Sequence, residues 1–216
     1  MITKRIFFLH SAGPQGLHEG SSDLIAWLKE TLGQDYQLVH PKMPKPDAPE
    51  YAQWKSNLEK ELARLTGELI LVGHSLGGFV LLKYLSEEPF DRPVAGLFLI
   101  SAPFWKADKD WRGESFSLAR NFPEKLPPLR KVFLYHSKDD PIVPFAHVIL
   151  YSAKLAAATV RQLNGDDHQF RNGLPELAND IRDLSDESTN RKKAVRAFGH
   201  RPFKESLDSM KPPIEG

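Results

Sequence analysis

The sequence predicts an α/β chain built on a doubly wound, mostly parallel sheet of six strands flanked by helices. Three observations carry that prediction. Short apolar runs alternate with stretches whose apolar residues recur at helical spacing, the pattern of strands joined by covering helices. The 216 residues are 41% hydrophobic, enough for one domain to bury an ordinary core. A Gly-x-Ser-x-Gly motif stands where an apolar run gives way to a helical one, Leu69-Ile-Leu-Val-Gly73-His74-Ser75-Leu76-Gly77.

Taken in order, the first strand is Arg5 to Leu9. Leu24, Ile25, Trp27, Leu28 and Leu32 then share one helical stripe that Gly33 stops. A second strand, Tyr36 to Val39, is followed by the stripe Tyr51, Trp54, Leu58, Leu62 and Leu65, stopped by Gly67. The third strand, Glu68 to Val72, leads through the motif into a helix from Gly77 to about Glu87. Val94 to Ser101, Lys131 to His136 and Thr159 to Leu163 complete the sheet, with a helix around Phe145 to Ala157 between the last two. Leu174, Leu177, Ile181 and Leu184 form the last stripe, with Pro175 at its helix start. Residues 1–184 thus read as the domain, and residues 185–216, basic and with few periodic apolar positions, as a flexible or peripheral C-terminal tail.

One interval breaks the alternation. Ala102 to Leu129 carries four prolines together with Phe104, Trp105, Trp111, Phe116 and Phe122, and is long for a connection in a compact domain. Segments of this kind often form binding walls, so Phe104, Trp105 and Trp111 are candidate pocket residues, with packing under an excursion as the competing reading.

Composition narrows the function. Twenty-nine basic against 28 acidic residues leave a net charge of +1, which argues against a nucleic-acid partner. The absence of cysteine excludes disulfides, thiolate zinc sites and cysteine nucleophiles. No histidine pair has metal-ligand spacing, so neither a metal nor another cofactor is expected. The apolar run Ile6 to Leu9 is too short for a signal peptide, and no window approaches a membrane span, so a cytoplasmic protein without membrane partner is expected. Nothing in the sequence sets an oligomeric state.

The motif carries the chemistry. A sharp strand-to-helix turn exposes the Ser75 hydroxyl, and small residues at 73 and 77 let the neighbouring backbone approach. The helix N-terminus supplies N–H donors beside it. A serine hydroxyl is a weak nucleophile until an imidazole takes its proton and a carboxylate orients that imidazole. In chain order Ser, acid, His, two loops after later strands offer these groups: Ser137-Lys-Asp139-Asp140-Pro141 and Asn164-Gly-Asp166-Asp167-His168. Asp139 and Asp140 are both candidates for the acid, although Pro141 suits a turn at 140.

With these residues in place, the chain from about residue 4 to 184 resembles the α/β-hydrolase superfamily. In its brevity it is similar to the small serine hydrolases of the retinoblastoma-binding protein 9 type and their bacterial relatives. The D-x-x-V-P pattern of those proteins matches Asp140-Pro-Ile-Val143-Pro144, and their histidine, often in G-H-x-F, matches His168 of Asp167-His168-Gln169-Phe170. Asp167 replaces the usual Gly. Their H-G-x-G after the first strand matches His10-Ser11-Ala12-Gly13, with Ser11 in place of Gly. The resemblance implies a minimal α/β-hydrolase fold and a serine hydrolase acting on a small ester, or less readily an amide or thioester. Its triad would be Ser75, His168 and Asp140. The backbone N–H of Leu76 and of Ala12, or alternatively Ser11, would form the oxyanion hole, with Ser11 also at the pocket. The alternative from another class is a protein-interaction module on a hydrolase fold with its triad unused.

Overall fold

A computed structural model of the chain describes residues 4–105, 116–165 and 167–198. Among these residues six strands form a single sheet: β1 (Lys4–Leu9), β2 (Tyr36–Val39), β3 (Leu69–His74), β4 (Val94–Ile100), β5 (Val132–Ser137) and β6 (Thr159–Leu163). Their order is β2-β1-β3-β4-β5-β6, and every neighbouring pair is parallel. The expected α/β-hydrolase type of sheet is therefore present, and the strand assignments hold to within two residues.

Among the described residues five α-helices cover it: α1 (Ser22–Leu32), α2 (Tyr51–Ala63), α3 (Leu76–Glu87), α4 (Ala146–Lys154) and α5 (Pro175–Phe198). Strand residues of alternate parity feed two cores. Ile6, Phe8, Ile70, Val72, Phe98 and Tyr135 pack beneath Leu24, Leu28, Leu177 and Ile181 of α1 and α5. Phe7, Leu9, Leu71, Leu97 and Leu134 pack on the other face with Trp54, Leu58, Phe79, Val148 and Tyr151 of α2, α3 and α4. β3 and β4 are buried along their whole length, as expected of strands covered on both faces.

Because the chain leaves β1 toward β2 on one side and then crosses back to β3 on the other, the winding reverses between β1 and β3. Loops at the carboxyl ends of strands on either side of such a reversal diverge and leave a crevice. Residues 10–21 follow β1 and residues 75 and 76 follow β3, so the fold places the motif serine at this crevice.

The interval from 102 to 129 is tied down at both described ends. Pro103 accepts a hydrogen bond from the Tyr151 hydroxyl at 2.8 Å, and the Phe104 N–H donates to His147 Nδ1 at 2.8 Å. At the far end Lys83, nearly buried on α3, donates to the Ser117 carbonyl at 2.8 Å and pairs with Glu87. α5 is held on β5 and β6 by Asp180, which accepts from Tyr135 at 2.7 Å and takes a two-pronged contact from Arg161. The helix runs without interruption past Leu184, where its apolar stripe ends, to Phe198. Among the described residues no helix is long and apolar enough to cross a membrane.

Trp54 is fully buried and its indole N–H donates to the Pro44 carbonyl at 2.9 Å. Trp54→Ala opens a cavity under α2 and orphans that carbonyl. A loss of about 3 to 5 kcal/mol in urea unfolding is the expected outcome.

Candidate active site

Ser75 sits at φ 52° and ψ −123°, a conformation an L residue adopts only under constraint. Its N–H donates to the Ile100 carbonyl at 2.7 Å, while its own carbonyl receives the N–H groups of Gly78 at 3.0 Å and Phe79 at 3.3 Å. The flanking glycines make this possible. A Cβ at Gly77 would collide with the carbonyl oxygens of Leu9 and His10, and one at Gly73 would lie 2.5 Å from the Gly78 Cα. Glycine at 77 thus brings the first turn of α3 against the end of β1, where the candidate oxyanion residues lie.

Asp140 follows β5 and His168 follows β6, and the structure brings the two together. His168 Nδ1 lies 2.8 Å from Asp140 Oδ2, with both side chains buried. A carboxylate only accepts, so Nδ1 carries the proton and Nε2 keeps its lone pair. Asp140 Oδ1 accepts the N–H groups of Ile142 and Val143, each at 2.9 Å. Burial pushes the Asp140 carboxyl upward, but the bond and charge of His168 together with these two N–H groups outweigh it. They hold the carboxyl well below the usual carboxylate range. Ser75 is tied to the same centre through its neighbour, since the His74 ring stands 5.0 Å from that of His168 and its Nε2 lies 2.7 Å from the His168 carbonyl oxygen. The Ser75 hydroxyl itself makes no hydrogen bond with the described residues.

The neighbouring carboxylates differ in what each touches. Asp139 Oδ2 accepts the Gly165 N–H at 2.9 Å and so clasps the β5 loop to the β6 loop from outside. Asp167 Oδ1 accepts the N–H groups of Gln169 at 2.9 Å and Phe170 at 2.7 Å, an Asx turn that shapes the bend holding His168. Asp166 lies outside the described residues.

The candidate oxyanion donors separate in the same way. The Ser11 N–H is taken by Ser21 Oγ at 2.9 Å, and the Gly13 N–H by the Pro46 carbonyl at 2.8 Å. No acceptor among the described residues takes the N–H of Ala12 or of Leu76. Ser11 is buried with its hydroxyl 3.2 Å from that of Ser21, whereas Ala12 is exposed.

Phe104 and Trp105 are half-buried and lean on the core. Phe104 meets Tyr151 edge-on at 4.9 Å, and Trp105 stacks on Phe116 at 5.3 Å with Phe79 beside it. Their contacts make an aromatic layer over α3 and α4. Trp111 lies outside the described residues. No sequence signal marks Ser21, whose position just before α1 reads as a helix cap; it is bonded to His74 beneath Ser75. Among the described residues no cluster of three or more His, Asp or Glu side chains has the arrangement of a metal site.

Burial depresses the nearby histidines, His10 to about 4 and His74 to about 3, in each case with a neighbouring imidazole as the next cause. Between these values and the ordinary 6.5 the unfolded chain binds protons that the folded chain refuses. Stability therefore falls as the solution is acidified below 6.5, by about 1.4 kcal/mol per pH unit for each ring at most. Thermal melts between about pH 7 and about pH 5 are expected to show a steady decline in midpoint. His10→Asn is expected to make that decline shallower.

Three comparisons relate the chain to known proteins. A family model described as serine hydrolase matches residues 19–173. No curated protein matches the chain significantly. Among solved structures, the ydeN gene product of B. subtilis superposes with a TM-score of 0.69 at 23% identity, covering 85% of this chain and 100% of that one. The meta-cleavage product hydrolase of Pseudomonas fluorescens IP01 gives 0.66 at 10% identity over 86% and 91%. An esterase of Rhodococcus sp. ECU1013 gives 0.65 at 16% identity over 84% and 90%. At these identities the structural likeness speaks for the fold.

Proposed function

The chain belongs to the serine hydrolase family, and we propose that it cleaves a carboxylic ester of a small molecule through an acyl-enzyme on Ser75. The observation that carries this reading is the buried His168–Asp140 pair at 2.8 Å, set beside a serine held at positive φ on the turn into α3. His168 Nε2 takes the Ser75 proton as Oγ attacks the ester carbonyl, and the resulting imidazolium is stabilised by the Asp140 carboxylate. The N–H groups of Ala12 and Leu76 receive the oxyanion. Collapse of the tetrahedral adduct expels the alcohol, which takes its proton from His168. Water then enters by the same route in reverse roles, releasing the acid and restoring Ser75. Every step uses groups of this chain and water.

Within the family we read the chain as one of the small hydrolases of the retinoblastoma-binding protein 9 type. The D-x-x-V-P match at Asp140 and the bare six-stranded sheet support that placement. The ester reading is supported by the similar Rhodococcus structure, which is itself described as an esterase.

Intact-mass measurement after treatment with a fluorophosphonate tests the reading. A single adduct is expected on the wild type and none on Ser75→Ala, with labelling slowed about a thousandfold in His168→Ala. Asp140→Asn is expected to keep the fold and lower kcat on p-nitrophenyl acetate about ten-thousandfold, because the wrong imidazole tautomer is then favoured. A folded wild type that takes no adduct and turns over no ester would refute the acyl-enzyme.

A further inference from the structure

We propose that Ser21 and His74 are positioning residues that join the oxyanion loop to the loop bearing His168 through one buried chain of hydrogen bonds. The proposal rests on the acyl-enzyme reading above.

The protons along the chain can be assigned one by one. His74 Nε2 lies 2.7 Å from the His168 carbonyl oxygen, which can only accept, so Nε2 carries the proton. The other nitrogen, Nδ1, is then an acceptor, and Ser21 Oγ stands 2.9 Å from it. The single hydroxyl proton of Ser21 is therefore committed to His74. Its oxygen is left to accept, and the Ser11 N–H reaches it at 2.9 Å and the Ser11 hydroxyl at 3.2 Å. All four residues are buried, so no link competes with bulk water. The arrangement works only with a neutral imidazole, and burial holds the His74 ring down to about 3.

Ser21 departs from what its position favours. It is the N-cap residue of α1, where a serine hydroxyl ordinarily accepts an N–H of the first turn, yet it makes no cap hydrogen bond. Ser22, next along, bonds Glu19 instead. The Ser21 hydroxyl is turned inward to meet two segments that come from β1 and β3.

The two ends of the chain explain what it does. One end is the Ser11 N–H, immediately before the Ala12 N–H that no described residue accepts. The other is the backbone of His168, whose ring must meet Asp140 on one side and Ser75 on the other. The strut between them, His74, is the residue before the nucleophile. Donor, nucleophile and base are thus referenced to one another from below, while the substrate side stays open.

The experiment compares full-length wild type, Ser21→Ala and Ser21→Thr by steady-state hydrolysis of p-nitrophenyl acetate, by thermal melting and by nitrogen NMR of the imidazoles. Ser21→Ala is expected to lower kcat about 10- to 100-fold while KM changes less than about twofold, and Ser21→Thr, which restores a hydroxyl, to regain most of the loss. In the wild type the His74 spectrum should show the Nε2–H tautomer, and in Ser21→Ala that preference should weaken. A Ser21→Ala enzyme with wild-type kcat, a loss confined to KM, or a Ser21→Thr protein no better than Ser21→Ala at equal melting temperature would overturn the proposal. Should the wild type neither label with fluorophosphonate nor turn over ester, the acyl-enzyme reading fails on its own. The His74 tautomer then still decides the chain, which an Nδ1–H ring in the wild type would break.

Discussion

How closely α3 can approach the ends of β1 and β3 governs everything built above the sheet. The approach is a steric matter, since the first turn of α3 leaves no room for a Cβ at 73 and the backbone at the end of β1 leaves none at 77. It forces Ser75 into a conformation that costs of the order of 1 to 3 kcal/mol. That cost is small beside the burial it makes possible. Phe79, Val80, Leu81 and Leu82 of the same helix are fully buried, and each such side chain contributes about 1.5 to 3 kcal/mol. The strained turn is sustained by the core below it.

Three buried histidines gather about Asp140 and His168, and they differ in the acceptor each one finds. His136 donates from Nε2 to the Val143 carbonyl at 2.7 Å and stands 3.6 Å from Asp140. His74 is engaged at both nitrogens, by a carbonyl and a hydroxyl. Burial lowers both rings, so each stays neutral. Of the three, His168 alone directs its Nδ1 proton to the carboxylate itself, at 2.8 Å. The difference lies in the acceptor each ring finds, a neutral carbonyl or an anion, rather than in burial, which all three share.

The sheet was legible because its strands are nearly continuous apolar runs bounded by turn residues, and β2 and β6 have the predicted limits. β3 extends two residues further than hydropathy suggests, since Gly73 and His74 still pair with Leu99 and Ile100 of β4. No apolar pattern marks them, because the motif there serves the turn. α5 continues beyond its stripe to Phe198, where residues such as Lys192, Lys193 and Ala194 favour helix without needing a core. Ser75, Asp140 and His168 stood out because their types and order are constrained by chemistry. Ser21 did not, because a serine before a helix already has an ordinary reason to be there, and its real partner is 53 residues away in sequence.

The two departures from the motifs of similar hydrolases, Ser11 and Asp167, follow one physical logic. A glycine at such a position gives the backbone freedom, and freedom must be removed again for a site to be precise. Ser11 and Asp167 remove it locally. Ser11 offers its N–H and its hydroxyl to Ser21. Asp167 draws in the N–H groups of Gln169 and Phe170, and the positive φ of the bend falls on Phe170, whose buried ring packs against His74. Ser11 is thus one end of the hydrogen-bonded chain that passes through His74, and Asp167 directly precedes His168, whose carbonyl is the other end. This chain holds the two loops by polar bonds that begin and end on backbone, so their geometry is set by hydrogen-bond direction as well as by packing.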